Sequence, residues 1–196
     1  RKQLMESSGH AVARVVREVA DADDLVVVVA GRGNNGGDAF VTVRFLDEFD
    51  VTTLLLGRAD AITTDIAREN WDALGQAEYD TREVRDSSAV SLPDADVVVD
   101  AMLGTGVTGA LREPEATAAR AVNEADATVV AVDVPSGVDA DTGEAAGVAV
   151  EADHVVTFHD AKPGLAAVDA DVTVADIGIP AAAETFVGPG DLRVLS

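Results

Sequence analysis

The sequence predicts an α/β fold in which helices cover a mostly parallel, doubly wound sheet. Short runs rich in valine recur along the chain, as expected for strands that are buried on both faces of a parallel sheet. Stretches with helical spacing alternate with these runs, and polar or glycine-rich residues follow most of them. This alternation is typical of βαβ units, whose ligands bind beyond the carboxyl ends of the strands.

The chain opens with a predicted helix and a predicted buried strand. In residues 4–20 the apolar side chains recur at helical spacing, which indicates an amphipathic helix that packs on the sheet. Residues 25–30 form an unbroken apolar run rich in β-branched valine. This run predicts a strand that is buried on both faces.

The stretch GRGNNGGDAF, residues 31–40, follows that strand directly and places four glycines within residues 31–38. Such a density permits positive φ angles and allows another molecule to approach the backbone closely. Phe40, Val43 and Leu46 then follow at helical spacing. A strand, a glycine loop and a helix N-terminus together form an anion site, and we expect a phosphate group there.

These glycines satisfy the pattern G-x-G-x-x-G, and either Asp60 or Arg58 stands where a residue that reads a ribose would follow. The alternative is a tight turn from strand to helix whose glycines serve only packing. Asn34, Asn35 and Asp38 favour a ligand site, because a turn requires neither adjacent amides nor a carboxylate at the same place.

The remaining elements repeat this alternation. A strand is predicted over residues 51–56 and a helix over residues 61–74, whose start carries the polar cluster Thr63, Thr64 and Asp65. An edge strand is predicted over residues 79–84. Further strands are predicted at residues 97–99, 128–132, 154–158 and 172–175, with a helix at 114–125 that begins at Pro114.

Two aspartates, Asp100 and Asp133, each follow a strand of nearly pure valine. Each could serve only to accept backbone N–H groups of the following loop. Two such residues on the sheet edge that also carries Asn35 and Asp38 favour a functional site instead. Oxygen donors from Asn35, Asp100 and Ser136 are the hard ligands that a cation without strong geometric demands prefers.

Length and composition bound the domain organisation. The 196 residues fit one domain, with a core over residues 4–180 and an exit segment or linker over residues 181–196. That last segment contains Gly188, Pro189 and Gly190. Since the first residue is Arg1 and not methionine, we expect a fragment or an excised domain.

The charge is strongly acidic, with 36 Asp and Glu against 14 Lys and Arg and a net charge of −22. Such a surface repels nucleic acid and anionic membranes, so neither is an expected partner. It is also typical of a salt-adapted organism, because the Debye length falls to about 3 Å at molar salt. Cysteine is absent and histidine is limited to three residues, which excludes disulfides, thiolate metal sites and the common histidine zinc motifs. With no signal peptide and no apolar run of about 18 residues, we expect a cytoplasmic protein.

Several motifs resemble, in order and spacing, those of the NAD(P)H-hydrate epimerase family, also called the YjeF N-terminal domain. They are GRGNNGGDAF, DAMLGTG, AVDVPSGVDADTG, AKPGL and DIGIP, and the resemblance extends from about residue 4 to residue 180. It implies a three-layer α/β/α, Rossmann-like sandwich that is usually a homodimer. It also implies interconversion of the R and S epimers of hydrated NADH and NADPH, which feeds an ADP- or ATP-dependent dehydratase that is often fused at the carboxyl side.

The resemblance also implies site residues. A potassium ion would be held by Asn35, Asp100 and Ser136. Ala39 departs from the glycine that is usual after the motif aspartate, a change that a helical position tolerates. The residues that would line the substrate are Asn34, Asn35, Gly36, Gly37, Asp38, Gly104, Thr105, Gly106, Val107, Thr108, Gly109, Ala110 and Asp133.

The chemistry of such a reaction indicates the catalytic group. Inverting a hydroxylated carbon beside a ring nitrogen requires protonation of the departing hydroxyl, a transient iminium and the return of water to the other face. One carboxyl group can carry that proton. Asp133 is the expected acid/base because the cation site does not use it, and Asp38 is the second choice.

Two other functions are weighed against this one. A non-catalytic nucleotide-binding or scaffolding member of the same fold is disfavoured, because Asn35, Asp38, Asp100 and Asp133 are all present. An ordinary NAD(P) dehydrogenase would use the glycine pattern but requires a hydride-transfer partner, and none is recognisable.

Overall fold

Seven parallel strands form one sheet at the centre of the computed structural model, which describes residues 1–180. The predicted exit segment, residues 181–196, lies outside the described residues. The helices are α1 Lys2–Val19, α2 Asn34–Arg44, α3 Asp65–Gln76 and α4 Glu115–Glu124. The strands are β1 Leu25–Ala30, β2 Asp50–Leu56, β3 Asp80–Val84, β4 Val97–Ala101, β5 Thr128–Val132, β6 His154–Phe158 and β7 Asp171–Ala175.

The strand order is β3-β2-β1-β4-β5-β6-β7, and every neighbouring pair is parallel. Val28 at the centre of β1 pairs with Thr53 of β2 and with Val99 of β4. The strand order reverses between β1 and β4, and at such a point the connections leave in opposite directions and open a crevice at the carboxyl ends. The predicted parallel, doubly wound sheet is confirmed.

Alternating side chains of the strands build one core on each face of the sheet. On one face Val26 and Val28 pack with Val16 of α1, Phe40 of α2 and Leu74 of α3. On the other face Val27 and Val29 of β1 pack with helix α4, through Ala118, Ala119 and Val122. Loops after β5 and β6 contribute Val134, Val150 and Leu165 to the same core. The three-layer α/β/α arrangement is therefore confirmed, with loops completing the second outer layer.

Two helix starts differ most from the prediction. The helix predicted over residues 61–74 begins at Asp65, because the Thr64 side chain accepts a hydrogen bond from the Ala67 amide and caps the first turn. Residues Ala59–Ala61 form a separate short 3₁₀ turn. Helix α2 begins at Asn34, within the stretch that was expected to be a loop. None of the helices in residues 1–180 is long and apolar enough to cross a bilayer.

Candidate active site

The glycines after β1 allow α2 to begin in close contact with the central strands. A Cβ atom on Gly31 would lie 1.8 Å from the Met102 carbonyl oxygen, and one on Gly36 would lie 2.0 Å from the Gly31 carbonyl oxygen. Gly37 packs in the same way against Met5 and Ala67. These three glycines serve close packing, and although the glycine density permits positive φ angles, none of the four glycines in this stretch has one.

Gly33 differs from its neighbours because a Cβ there would meet no atom within 4 Å. It caps the N-terminus of α2 and lines a cavity of about 410 Å³ at the carboxyl ends of β1, β4 and β5. The predicted substrate residues that line this cavity are Asn34, Asn35, Asp38, Gly104, Thr105, Gly106, Val107 and Asp133. Met102 and Leu103 also line it, and, like Gly33, they were not predicted as site residues.

A second cavity of about 280 Å³ lies beside the first and shares Val107 as part of its wall. Two further predicted residues, Thr108 and Gly109, line this second cavity. Gly36, Gly37 and Ala110 line neither of the two. Gly36 and Gly37 are buried in the packing of α2, so they shape the first cavity only through the position of the helix.

Asp38 lies in the second turn of α2 and is half-buried. Burial, together with the negative charge of Asp133, raises the pKa of Asp38 to about 8. This carboxyl group is therefore largely protonated at neutral pH. A protonated carboxyl group beside a cavity can act as a general acid.

Asp133 follows β5 and adopts a left-handed backbone conformation with φ 71°. Its Oδ1 atom lies 2.7 Å from Lys162 Nζ and accepts a 3.3 Å hydrogen bond from the Thr157 hydroxyl. Its Oδ2 atom would lie 3.4 Å from a Cβ on Gly104, which lines the cavity. No hydrogen bond from residues 1–180 reaches Oδ2, so this oxygen is the one available to a ligand.

Asp100 is fully buried at the end of β4 and accepts hydrogen bonds from three groups. The Ser136 amide donates to Oδ2 at 2.7 Å, and the Ser136 hydroxyl and Met102 amide donate to Oδ1 at 2.7 and 3.2 Å. Burial raises the pKa of Asp100 to about 6 despite these hydrogen bonds, and no cationic side chain within residues 1–180 pairs with it. Asp100 thus joins the loop after β4 to the loop after β5, which is the capping role that was weighed as an alternative.

Asn35 also has an incompletely satisfied side chain. Its Nδ2 atom is buried without a hydrogen-bond partner in the described part of the chain. Its Oδ1 atom would lie 3.3 Å from a Cβ on Gly104, on the same side as Asp133 Oδ2. Buried polar groups without partners are rare in native proteins, so this amide is a candidate ligand-binding group.

The two candidates for reading a ribose lie elsewhere. Arg58 and Asp60 form an exposed ion pair with a distance of 2.6 Å, and neither lines the two cavities. The glycine pattern therefore does not continue into the second half of a dinucleotide fingerprint here.

Comparison with known proteins identifies relatives of the whole chain. The family model described as "YjeF-related protein N-terminus" matches residues 1–164. The NAD(P)H-hydrate epimerase of Cenarchaeum symbiosum is 42% identical, covering 95% of this chain and 90% of that protein. The bifunctional NAD(P)H-hydrate repair enzyme Nnr of Methanothermobacter thermautotrophicus is 45% identical, and the match covers 98% of this chain.

The chain spans 39% of the length of that bifunctional relative. Among solved structures, yeast ynu0 (YNL200c) has a TM-score of 0.78 at 24% identity, and the match covers 98% of this chain and 87% of the yeast chain. This likeness shows the shared fold. The match over residues 1–164 and the 42% identity to the epimerase of Cenarchaeum symbiosum establish that the chain belongs to the YjeF-related N-terminal domain family.

Proposed function

We propose that this chain interconverts the R and S epimers of hydrated NADH and NADPH. The observation that carries the proposal is the pair of carboxyl groups, Asp38 and Asp133, on one cavity at the switch point of the sheet. Burial and the charge of Asp133 favour the protonated form of Asp38, whereas Asp133 pairs with the ammonium group of Lys162, so the first can serve as an acid and the second as a base. Relatives that match nearly all of this chain carry the name NAD(P)H-hydrate epimerase.

In the proposed reaction, the Asp38 carboxyl group donates its proton to the departing hydroxyl group. The carbon–oxygen bond breaks, water leaves, and the lone pair of the ring nitrogen forms an iminium. The negative charge of Asp133 stabilises that cation. Water then attacks from the opposite face and loses a proton to Asp133 Oδ2. Return of a proton from Asp133 to Asp38 through solvent restores the starting state, so atoms and charge balance.

A potassium ion bound by Asn35, Asp100 and Ser136 is part of the proposal. Supporting it are the fully buried Asp100 carboxylate, which pairs with no cationic side chain within residues 1–180, and the side-chain oxygens of Asn35 and Ser136, since oxygen atoms are the ligands that such a cation prefers. A buried carboxylate is costly unless a cation or several hydrogen bonds compensate it. When bound, the ion would supply positive charge that offsets the carboxylates and would hold the loops after β4 and β5. The reacting carbon need not touch it.

The partners of the reaction are also proposals. A dehydratase that consumes one epimer is supported by the bifunctional name of several relatives. The homodimer is implied only by the family resemblance, and the molar mass measured by light scattering at several concentrations tests it.

The experiment that separates the function classes supplies one purified epimer of hydrated NADH and follows both epimers by chromatography. An epimerase converts the sample toward a mixture without ATP, a second substrate or a change in redox state. A dehydrogenase leaves the epimers untouched, although it binds intact NADH, and a scaffold does neither. The rate must exceed that of a buffer control, because epimerisation also occurs spontaneously.

A further inference from the structure

We propose that Lys162 is a positioning residue, which holds one oxygen of the Asp133 carboxylate so that the other oxygen faces the cavity. The expected effect of Lys162 on kcat rests on the proposed epimerase function, whereas its expected effect on the position of the Asp133 side chain does not. Lys162 lines neither cavity, so it acts through Asp133 and not on the substrate.

The contact between the two side chains is short and shielded. Lys162 Nζ lies 2.7 Å from Asp133 Oδ1, and the exposed fractions of the two side chains are 21% and 15%. The same ammonium group donates a 2.9 Å hydrogen bond to the Phe158 carbonyl oxygen. An ion pair that is largely removed from water is screened less than a surface pair, and the second bond fixes the direction of the ammonium group.

The backbone around Lys162 is itself held in place. Pro163 follows it and begins a short 3₁₀ turn over Pro163–Ala167, and a residue before proline is restricted to extended conformations such as the φ −73° and ψ 139° of Lys162. Gly164 packs so closely that a Cβ would lie 2.5 Å from the Asp139 carbonyl oxygen. The lysine therefore extends from a rigid turn.

Asp133 requires such a partner for two reasons. Its φ of 71° is a strained conformation for a residue other than glycine. Its charge also acts on the carboxyl group of Asp38, so without a cation the two groups would repel each other whenever both are ionised. Lys162 compensates the charge of Asp133 and restrains its side chain at the same time.

The two oxygens of Asp133 consequently have different surroundings. Lys162 and Thr157 occupy Oδ1, while Oδ2 lies beside Gly104 and the cavity. The chain contains only two lysines, Lys2 and Lys162, among 36 acidic residues. Lys2 pairs with Glu69 on the surface, where the lysine side chain is 64% exposed, so it provides a matched control.

The kinetic experiment compares Lys162→Met, Lys162→Arg and the control Lys2→Met, using one purified epimer of hydrated NADH. We expect Lys162→Met to lower kcat by about tenfold or more with little change in KM, less than the ~10²-fold loss for removal of a general acid or base. Lys162→Arg should recover part of the rate, and Lys2→Met should match the wild type. In a protein that already carries Asp133→Asn, the additional change Lys162→Met should cause no further loss of kcat. If Lys162→Met lowered kcat by the same factor in the wild type and in Asp133→Asn, Lys162 would not act through Asp133.

A crystal structure of the Lys162→Met variant tests the inference even if the wild type shows no epimerase activity. We expect the Asp133 carboxylate to rotate away from Gly104. An Asp133 side chain in its wild-type position would overturn the inference. Should Lys162→Met not fold, Lys162→Ala, which also removes both the charge and the donor, takes its place in both experiments with the same expected results.

Discussion

The two aspartates of the candidate active site have the same side chain but different surroundings. Asp38 is half-buried on α2 and has no cationic partner within residues 1–180, whereas Asp133 pairs with Lys162 at 2.7 Å. Burial and the charge of Asp133 raise the pKa of Asp38 to about 8. The shift makes the protonation of Asp38 sensitive to pH in the range in which an enzyme works.

The first prediction concerns the pH dependence that Asp38 creates. Because its folded-state pKa of about 8 lies above the ordinary value of 3.8, the native protein keeps a proton that the unfolded chain loses. The contribution of the Asp38 proton to the free energy of unfolding is full below about pH 4 and is lost as the pH rises toward 8. Relative to the wild type, Asp38→Asn should therefore gain about 1 kcal/mol or more in free energy of unfolding between pH 5 and pH 8, or ~2–4 °C in Tm.

Thermal denaturation of both proteins at pH 5, 6, 7 and 8 measures this difference. A difference in Tm that stays constant over this range would contradict the assigned shift. The same protonation predicts that wild-type epimerisation slows as the pH rises through about 8, since the general acid loses its proton.

The second prediction concerns the buried Asp100. If potassium binds there, replacing tetramethylammonium by potassium at constant ionic strength should raise the Tm. At a concentration a hundred times the Kd, the gain in free energy of unfolding is about 2.7 kcal/mol. Asp100→Asn preserves the shape but removes the charge, so its Tm should not respond to the exchange. A wild type whose Tm does not respond to potassium would contradict the proposed potassium site.

The carboxylates at the strand ends could be predicted from the sequence, but their partners could not. Asp133 stood out because a carboxylate gains nothing from packing at the end of a valine strand. Lys162 gave only a weak signal, as one of two lysines in an acidic chain. Its contact with Asp133 depends on the pairing of β5 with β6, which brings together residues that are distant in sequence.

At the scale of elements, the start of α2 against β1 and β4 determines the shape of the cavity. The N-terminal turn of α2 touches the Gly31 carbonyl oxygen, and Gly31 touches the Met102 carbonyl oxygen. Glycine is required at these contacts because any Cβ would collide with backbone atoms. Gly33, by contrast, has φ −94° and open space around it.

The third prediction compares two alanine substitutions within this turn. Gly36→Ala places a Cβ at 2.0 Å from a backbone oxygen, and we expect it to cost about 1–3 kcal/mol or more, as overpacking does. Gly33→Ala adds the same methyl group in open space, and its cost should remain below about 1 kcal/mol. Chemical denaturation of both variants measures the difference. Equal costs would show that the close packing of Gly36 is not what the fold requires.

The sequence predicted most elements but not the role of the glycine stretch. The strands over residues 25–30, 128–132 and 154–158 match β1, β5 and β6 at both ends, because each is a short valine-rich run that a glycine or polar residue follows. The glycine stretch was expected to be a loop, although α2 begins inside it. Glycine composition permits both outcomes, and the deciding contact is with Met102, which follows β4 and is far away in sequence.

At the scale of the whole molecule, the sequence predicted the parallel sheet and its layers from the alternation of elements. It could not show that loops complete the second outer layer, where Val134, Val150 and Leu165 pack on the sheet. These residues lie in segments without helical periodicity. Their burial follows from the tertiary fold and not from a local pattern.

The fourth prediction concerns the net charge of −22. Repulsion among the acidic groups opposes the compact state, and raising the salt concentration from 0.1 M to 1 M shortens the Debye length from about 10 Å to about 3 Å. The Tm should therefore rise with sodium chloride and with tetramethylammonium chloride alike. A Tm that falls or stays constant in both salts would contradict the electrostatic interpretation of this surface. The shared response is also the baseline against which a specific effect of potassium is measured.

Epimerisation followed from both directions tests the proposed epimerase site. Separate samples of the pure R and pure S epimers of hydrated NADH are incubated with the protein, with Asp133→Asn and with buffer alone. If the cavity formed by α2 and the loops after β4 and β5 is an epimerase site, both wild-type samples reach the same epimer ratio as the buffer control, but much sooner. Asp133→Asn should be slower by ~10²-fold or more. Wild-type rates equal to the buffer rate, or an Asp133→Asn variant as fast as the wild type, would contradict the account.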